Sequence, residues 1–266
     1  MYNPGMHVEV WDVLLLCGAG FTAAVVDSVV GGGGLISLPA LLCVGVPPTV
    51  ALGTNKVAAF MSSSTSAWAF VRSGRVCWSN LVYALPVALL GSVGGAWAVR
   101  KVPSEVLRPL VVVLLLCVVL YTLFKKEWGE KNHGVKVLLS ARRKAVLVAA
   151  ALCLGFYDGF FGPGTGSFLL FVCLMMGMDF VGAAAHAKTL NFASNIGAVA
   201  VFVSAGLVDY TLALPMGAAM VCGAWVGTRM ALNHGARYVR PLFVGMTALL
   251  VGQQAYAVVS RHFFGG

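Results

Sequence analysis

Five apolar runs, Val13–Val30, Leu81–Val99, Leu110–Phe124, Ala145–Phe161 and Leu242–Val259, approach or reach the roughly 20 residues a helix needs to cross a bilayer. Hydrocarbon offers no partner to a bare N–H or C=O, so segments of this kind are committed to helices. The rest of the chain does not change that expectation, since 59% of residues are hydrophobic, 10% are charged and the mean hydropathy is +0.90. The connections are too short to supply the polar exterior of a soluble domain. The opening residues, MYNPGMHVEVWD, carry Glu9 and Asp12 but no Lys or Arg, so they lack the basic start of a cleavable signal peptide and the first segment is expected to stay. The net charge of +9 resides in short loops and at segment ends, which is the pattern that orients membrane helices. Nucleic acid is therefore not an expected partner.

The sequence also repeats itself. GFTAAVVDSVVGGGGLISLPALLCVGV (Gly20–Val46) resembles GFYDGFFGPGTGSFLLFVCLMMGM (Gly155–Met178). At an offset of 131, Asp27 meets Asp158 and Gly31 meets Gly162. One residue is then gained, and at 132 Gly45 meets Gly177, Lys56 meets Lys188, Ser62 meets Ser194, Gly74 meets Gly206, Gly91 meets Gly223 and Gly95 meets Gly227. A long polar stretch, Lys125–Lys144, carries seven Lys or Arg against two Glu. It divides the chain into a first repeat (1–128), a connection (129–142) and a second repeat (143–266) within a single membrane domain.

Each repeat reads as five segments, near 11–30, 33–46, 49–71, 79–99 and 106–124, then 143–161, 164–178, 182–205, 209–229 and 239–260. The second of each set has only about 14 residues, short of the ~17 of an ordinary span, which predicts a broken or re-entrant hairpin after each glycine cluster. A hairpin returns to its side of entry, so three further crossings leave the second repeat upside down relative to the first. With the N-terminus outside, Arg72 and Arg75, the linker, and Arg229, Arg237 and Arg240 all fall on the cytoplasmic side. Arg100, Lys101 and Arg108 go against that arrangement. The predicted class is an all-α integral membrane protein of about eight to ten helical segments in two inverted-topology repeats. Matched short, glycine-interrupted segments of this kind point to the central site of a secondary transporter.

Four consecutive glycines, Gly31–Gly34, weaken a helix by roughly 1 kcal/mol each relative to alanine, so the bare backbone has to serve a purpose. Unwound backbone at membrane depth is tolerated only when buried in protein or lining a water-filled cavity. Helices beginning near Gly34 and Gly166 would turn the positive ends of two dipoles toward one midplane site, which favours an anion. Tight helix packing through small residues is the competing reading. Lys56, with Thr54, Asn55 and Ser62, and Lys188, with His186, Thr189, Asn191 and Asn195, would line the anion's route. Three alternatives stay open: snorkelling lysines, structural pairing of the lysines with Asp27 or Asp158, and aspartates that cap the glycine turns or couple to protons.

Other chemistry finds no footing. The seven cysteines form no CxxC and read as packing residues. His7, His133, His186, His234 and His262 are scattered, the glycine run lacks the Gly-Lys-Ser/Thr of a phosphate loop, and no nucleophile and base stand at useful spacing. No enzyme activity, cofactor or metal is expected.

AAVVDSVVGGGGLISLPALLCVGVPPTVALGTNKVAAF, GFYDGFFGPGTGSFLL and AAAHAKTLNFASNIGAVAVF resemble the paired signatures of the TauE/SafE family of sulfite and organosulfur-anion exporters, over about Gly20 to Trp225. The resemblance implies a polytopic inner-membrane permease for small sulfur-containing anions. It carries over onto Asp27, Gly31, Gly32, Gly33, Gly34, Pro39, Thr54, Asn55, Lys56, Asp158, Gly162, Gly164, Gly166, His186, Lys188, Asn191 and Asn195, with Thr165 inside the second glycine cluster. The expected function is alternating-access transport of sulfite, a sulfonate or a similar anion. An anion channel and a membrane-embedded binding or assembly protein are the alternatives. Expected partners are the small anion and membrane lipid, and a homo-oligomer is compatible with the sequence.

Overall fold

The computed structural model describes residues 9–103, 105–107, 109–111, 113, 114, 117 and 138–234. Most of the linker, most of segment 106–124, the whole of segment 239–260, and His7, Arg108, His133, Arg237, Arg240 and His262 lie outside the described residues. Within them the protein is all α, without a strand, and its helices are α1 (Val10–Val30), α2 (Gly34–Cys43), α3 (Pro48–Arg72), α4 (Trp78–Leu81), α5 (Ala84–Val99), α6 (Ala141–Phe160), α7 (Thr165–Met175), α8 (Phe180–Ser204) and α9 (Tyr210–His234).

Local chemistry fixes the helix ends. Glu9 and Asp12 close a capping box at the start of α1, Pro48 occupies the first turn of α3 where its missing N–H is harmless, and Asp179 accepts the Gly182 N–H at the start of α8. The interruption between α4 and α5 precedes Pro86, which has no N–H to give the Val82 carbonyl one turn back. Three stretches, Val10–Val30, Trp78–Val99 and Tyr210–Asn233, are long and apolar enough to cross a membrane by themselves. The outer surface is apolar as well. Trp11, Trp68, Trp78, Trp97 and Trp225 are all exposed, and Lys101 and Arg229 lie over the rings of Trp97 and Trp225, as basic residues do near a lipid interface. This is an integral membrane protein.

The expected short segments are present. At about 1.5 Å per residue, the 10 residues of α2 and 11 of α7 span roughly half of the ~30 Å hydrocarbon core. α2 doubles back on α1: a Cβ at Gly33 would stand 2.5 Å from the carbonyl oxygen of Ala23, ten residues earlier. Each break turns through left-handed backbone, at Gly31 (φ 79°) and Gly32 (φ 91°) before α2, and at Gly162 (φ 100°) and Gly164 (φ 87°) before α7.

The two sets of helices interlock reciprocally. Gly91 and Gly95 press α5 onto α6, where an added Cβ would strike the backbone oxygens of Leu152 and Phe156. Their counterparts Gly223 and Gly227 press α9 onto α1, against the oxygens of Phe21 and Val25. All eight residues obey the offsets read from the sequence. The seams join halves instead of closing each half on itself, with small residues four apart letting the backbones touch. Two apolar cores result. One gathers around α7 with Phe70, Leu147 and Leu190, the other around α2 with Leu16, Leu52 and Phe202, and the middles of α3 and α8 run between them.

Leucine in place of Gly95 or Gly227 should lower stability by about 1–3 kcal/mol or more, because two backbones have to part. Gly18→Leu, at a position with nothing within 4 Å, should be near neutral. Thermal unfolding in detergent compares the three, and equal melting temperatures would refute the close seams.

Candidate functional site

The two glycine breaks meet. A Cβ on Gly31 would collide with the backbone of Gly166 and Ser167, and one on Gly34 would lie 2.9 Å from the Cα of Pro163. The Ser167 hydroxyl donates to the carbonyl of Val30 at 2.9 Å, tying the second break to the end of α1. Only residues without side chains allow main chains to approach this closely, which accounts for the glycines in both clusters.

Four charges surround the junction. Lys56 Nζ on α3 stands 2.8 Å from Asp158 Oδ1 on α6, and Lys188 Nζ on α8 stands 2.6 Å from Asp27 Oδ2 on α1. Each lysine is paired with the aspartate of the other half. Neither snorkels: Lys56 is 3% exposed and Lys188 2%. Taking such ions out of water costs several kcal/mol apiece, recovered only through close pairing and further hydrogen bonds. Those bonds are present. Asp158 also accepts from the Ser194 hydroxyl at 2.5 Å and the Asn191 amide at 3.4 Å, and Lys56 donates to Asn195 Oδ1 at 3.4 Å. Asn195 in turn donates to Ser63 at 3.2 Å, while Asp27 Oδ1 accepts the Gly33 N–H at 3.2 Å. Asp27 thus both caps its glycine turn and pairs with a lysine, whereas Asp158 caps nothing and is held wholly by side chains.

A cavity of about 30 Å³ opens between these groups, room for on the order of two waters. Its walls include Asp27, Gly32, Gly33, Gly34, Asn55, Lys56, Asp158, Gly162, Gly164, Gly166, Asn191 and Asn195, so residues from both sequence signatures face one space. The first turns of α2 and α7 border it. Asn55, 4% exposed, has a side-chain oxygen without a hydrogen-bond partner there.

The remaining sequence candidates stand just behind the wall or away from it. Gly31 is spent on the contact with Gly166, and the Thr165 hydroxyl bonds the Gly162 carbonyl at 2.7 Å, which stiffens the turn. Lys188 approaches from behind Gly166. Thr54 and His186 have a different occupation. Thr54 Oγ1 accepts the N–H of Asp209, just before α9, at 3.0 Å, and His186 Nε2 accepts the N–H of Cys77, just before α4, at 3.2 Å. Both pairs follow the offset of 132, so these two side chains hold the start of the opposite half's next helix. Sequence reasoning passed over Ser63, Ser194 and Met220. The Ser62–Ser194 match was the available signal for Ser194, since a helix places it on the face of Asn191, three residues earlier.

Helices of spanning length, a glycine-lined junction and buried charges around a small polar cavity fit a membrane transporter of all-α build. The chain belongs to the TauE/SafE family, whose profile, described as sulfite exporter TauE/SafE, matches residues 16–253. It is 36% identical over 251 residues to a "probable membrane transporter protein" of Haemophilus influenzae, covering 94% of this chain and 96% of that one. It is 39% identical over 231 residues to the probable membrane transporter protein ORF9 of a Sinorhizobium species (85% of each chain) and 37% over 236 residues to YfcA of Escherichia coli (88% and 86%). No solved structure matches it.

Breaking one cross-half pair leaves a buried charge without its partner. Lys56→Met should therefore destabilise the protein by about 3–5 kcal/mol, and adding Asp158→Asn should recover much of that loss. Thermal unfolding of the single and double variants measures both effects, and a single variant as stable as wild type would contradict the buried pairing.

Proposed function

We propose that the protein is a secondary transporter that carries a small sulfur-containing anion, sulfite or a sulfonate in type, across the bacterial inner membrane by alternating access. The observation that carries this proposal is the meeting of two glycine breaks beside two buried lysines, each held by an aspartate of the other half. An arriving oxyanion is offered Lys56, the first turns of α2 and α7, and the amides of Asn55, Asn191 and Asn195, with Lys188 behind Gly166 at the same junction. In its absence the aspartates hold the lysines' charge. The reciprocal seams and the matched order of helices support two inverted repeats that rock against one another around this centre. In that arrangement the N-terminus lies outside and the linker 125–144 in the cytoplasm. The sulfur anion is supported by the family description, the transport role also by the names of the relatives.

A carrier suits the geometry better than a channel. The small cavity of about 30 Å³ between touching backbones supports a carrier, since rapid channel conduction needs a continuous open path.

Purified protein screened with sulfite, thiosulfate, sulfoacetate, taurine, sulfate and acetate should bind sulfur oxyanions before acetate. Lys188→Gln, at a cost in stability, should abolish binding by the protein that has inserted and folded. Equal binding of all six anions, or normal binding by that variant, would remove the lysine centre from transport.

A further inference from the structure

The two ion pairs occupy matching positions in unequal surroundings. Asp158 has three partners, Lys56, Ser194 and Asn191, and its side chain is 2% exposed. Asp27 has Lys188 and the Gly33 N–H, and its side chain keeps 18% exposure. In the first half, Ala59 and Ser62 stand where Asn191 and Ser194 stand in the second. Ser62 is 1% exposed, yet its hydroxyl has no hydrogen-bond partner, whereas its counterpart Ser194 is bound to a carboxylate. A buried hydroxyl is costly to leave in that condition. Ser62 and Asp27 occupy the repeat positions of the bonded Ser194 and Asp158, and α1 and α3 touch beside them, where the hydroxyls of Ser28, next to Asp27, and Ser66, one turn beyond Ser62, are 2.8 Å apart.

Granting the transport function proposed above, we propose that Asp27 is a proton site loaded together with the anion, and that Ser62 receives its carboxyl group once the proton is on. An anion that pairs with Lys188 takes the cation away from Asp27. A carboxylate stripped of its counter-charge inside the protein is strongly unfavourable, and a proton taken from solution onto one carboxylate oxygen removes the charge. No covalent bond breaks in this step. The Asp27–Lys188 ion pair is exchanged for an anion–Lys188 pair and a neutral carboxyl group whose O–H donates to the Ser62 oxygen. For a monoanion the charges brought in, one negative and one positive, cancel. The centre therefore recloses with its original net charge.

The surroundings make Asp27 the loading site in this conformation. Its neighbours bring Lys188 from α8, Lys56 from α3 and Asp158 from α6 as the charged groups, while α7 presents the Gly166 backbone and α9 the side chain of Met220. Lys56 is engaged by Asp158, and Asp158 is sealed by Ser194 and Asn191. Asp27 alone of the two carboxylates combines partial exposure with an unused hydroxyl at the matching position of the repeat. In the opposite state the roles exchange, with Asp27 seated on Ser62 and Asp158 released from Ser194.

The test uses the full-length protein in liposomes that enclose a pH-sensitive dye, with radiolabelled methanesulfonate and thiosulfate as probes, because neither anion titrates near neutrality. Label counts the anion and the dye counts protons in the same vesicles. Wild type should take up one proton with each methanesulfonate. Asp27→Asn should lose proton entry and the pH dependence of net uptake. Ser62→Ala, which removes only a hydroxyl, should slow net uptake roughly tenfold at an unchanged proton-to-anion ratio. Label entry without protons in wild type, unaltered proton entry in Asp27→Asn, or normal net uptake by Ser62→Ala would overturn the coupling and leave the transporter standing. No entry of either probe would overturn both.

Discussion

A bilayer core has no water with which to solvate a charge, so each ion buried there has to find its opposite within the protein. In the two buried ion pairs among the described residues, the opposite comes from the other half. Lys56 reaches Asp158 and Lys188 reaches Asp27, and both pairs close over the same few ångströms of glycine backbone. The rest of the architecture serves that crossing. The two apolar cores lie on either side of it, and the glycine seams between α5 and α6 and between α9 and α1 hold the halves near enough for the lysines to reach across. Without the pairs, two ammonium and two carboxylate groups would stand unpaired in a low-dielectric interior.

The glycines and the charges belong to one design. Gly31 against Gly166 brings the two main chains into contact, and this contact sets the size of the cavity next to Asn55 and Asn195. Larger residues would push the breaks apart and carry Asp27 out of reach of Lys188. The helix starts at α2 and α7 add partial positive charge to a place that already holds two ammonium groups, and the aspartates balance it. A centre arranged in this way has an excess of donors whenever a carboxylate lets go of its lysine. That is a reason for an anion to bind there, and equally a reason for the protein to keep its own carboxylates at hand.

Much of this was legible in the sequence, and the parts that were not share a cause. Segment length and hydropathy located α1, α3, α6 and α8 to within about two residues, while segment 79–99 took in both α4 and α5 and α9 runs past the expected end at 229; the shortness of 33–46 and 164–178 announced the short helices α2 and α7. The register of Asp27 with Asp158 and Lys56 with Lys188 picked out the four charges. Pairing was open because a repeat alignment compares positions and says nothing of contacts: lysine and aspartate of one half could have met each other as readily as crossed over. Thr54 and His186 looked like site residues because they share a helix turn with the lysines. Their side chains leave on another face of that turn and hold Asp209 and Cys77 instead. The inequality of Asp27 and Asp158 depends on Ala59 standing where Asn191 stands, a difference that an alignment records without giving its meaning.

The crossed pairing has a consequence for how the chain is made. Lys56 leaves the ribosome about a hundred residues before Asp158, and Asp27 precedes Lys188 by more than that. α1 likewise waits for α9 before its glycine seam can close. During synthesis, then, the first half enters the membrane before Lys56 or Asp27 can reach its final partner, and the two charges depend on each other, on water at the insertion site or on helices not yet released to lipid until the complement is translated. Assembly of this protein is in that sense a single late event, in which two incomplete bundles neutralise each other at once.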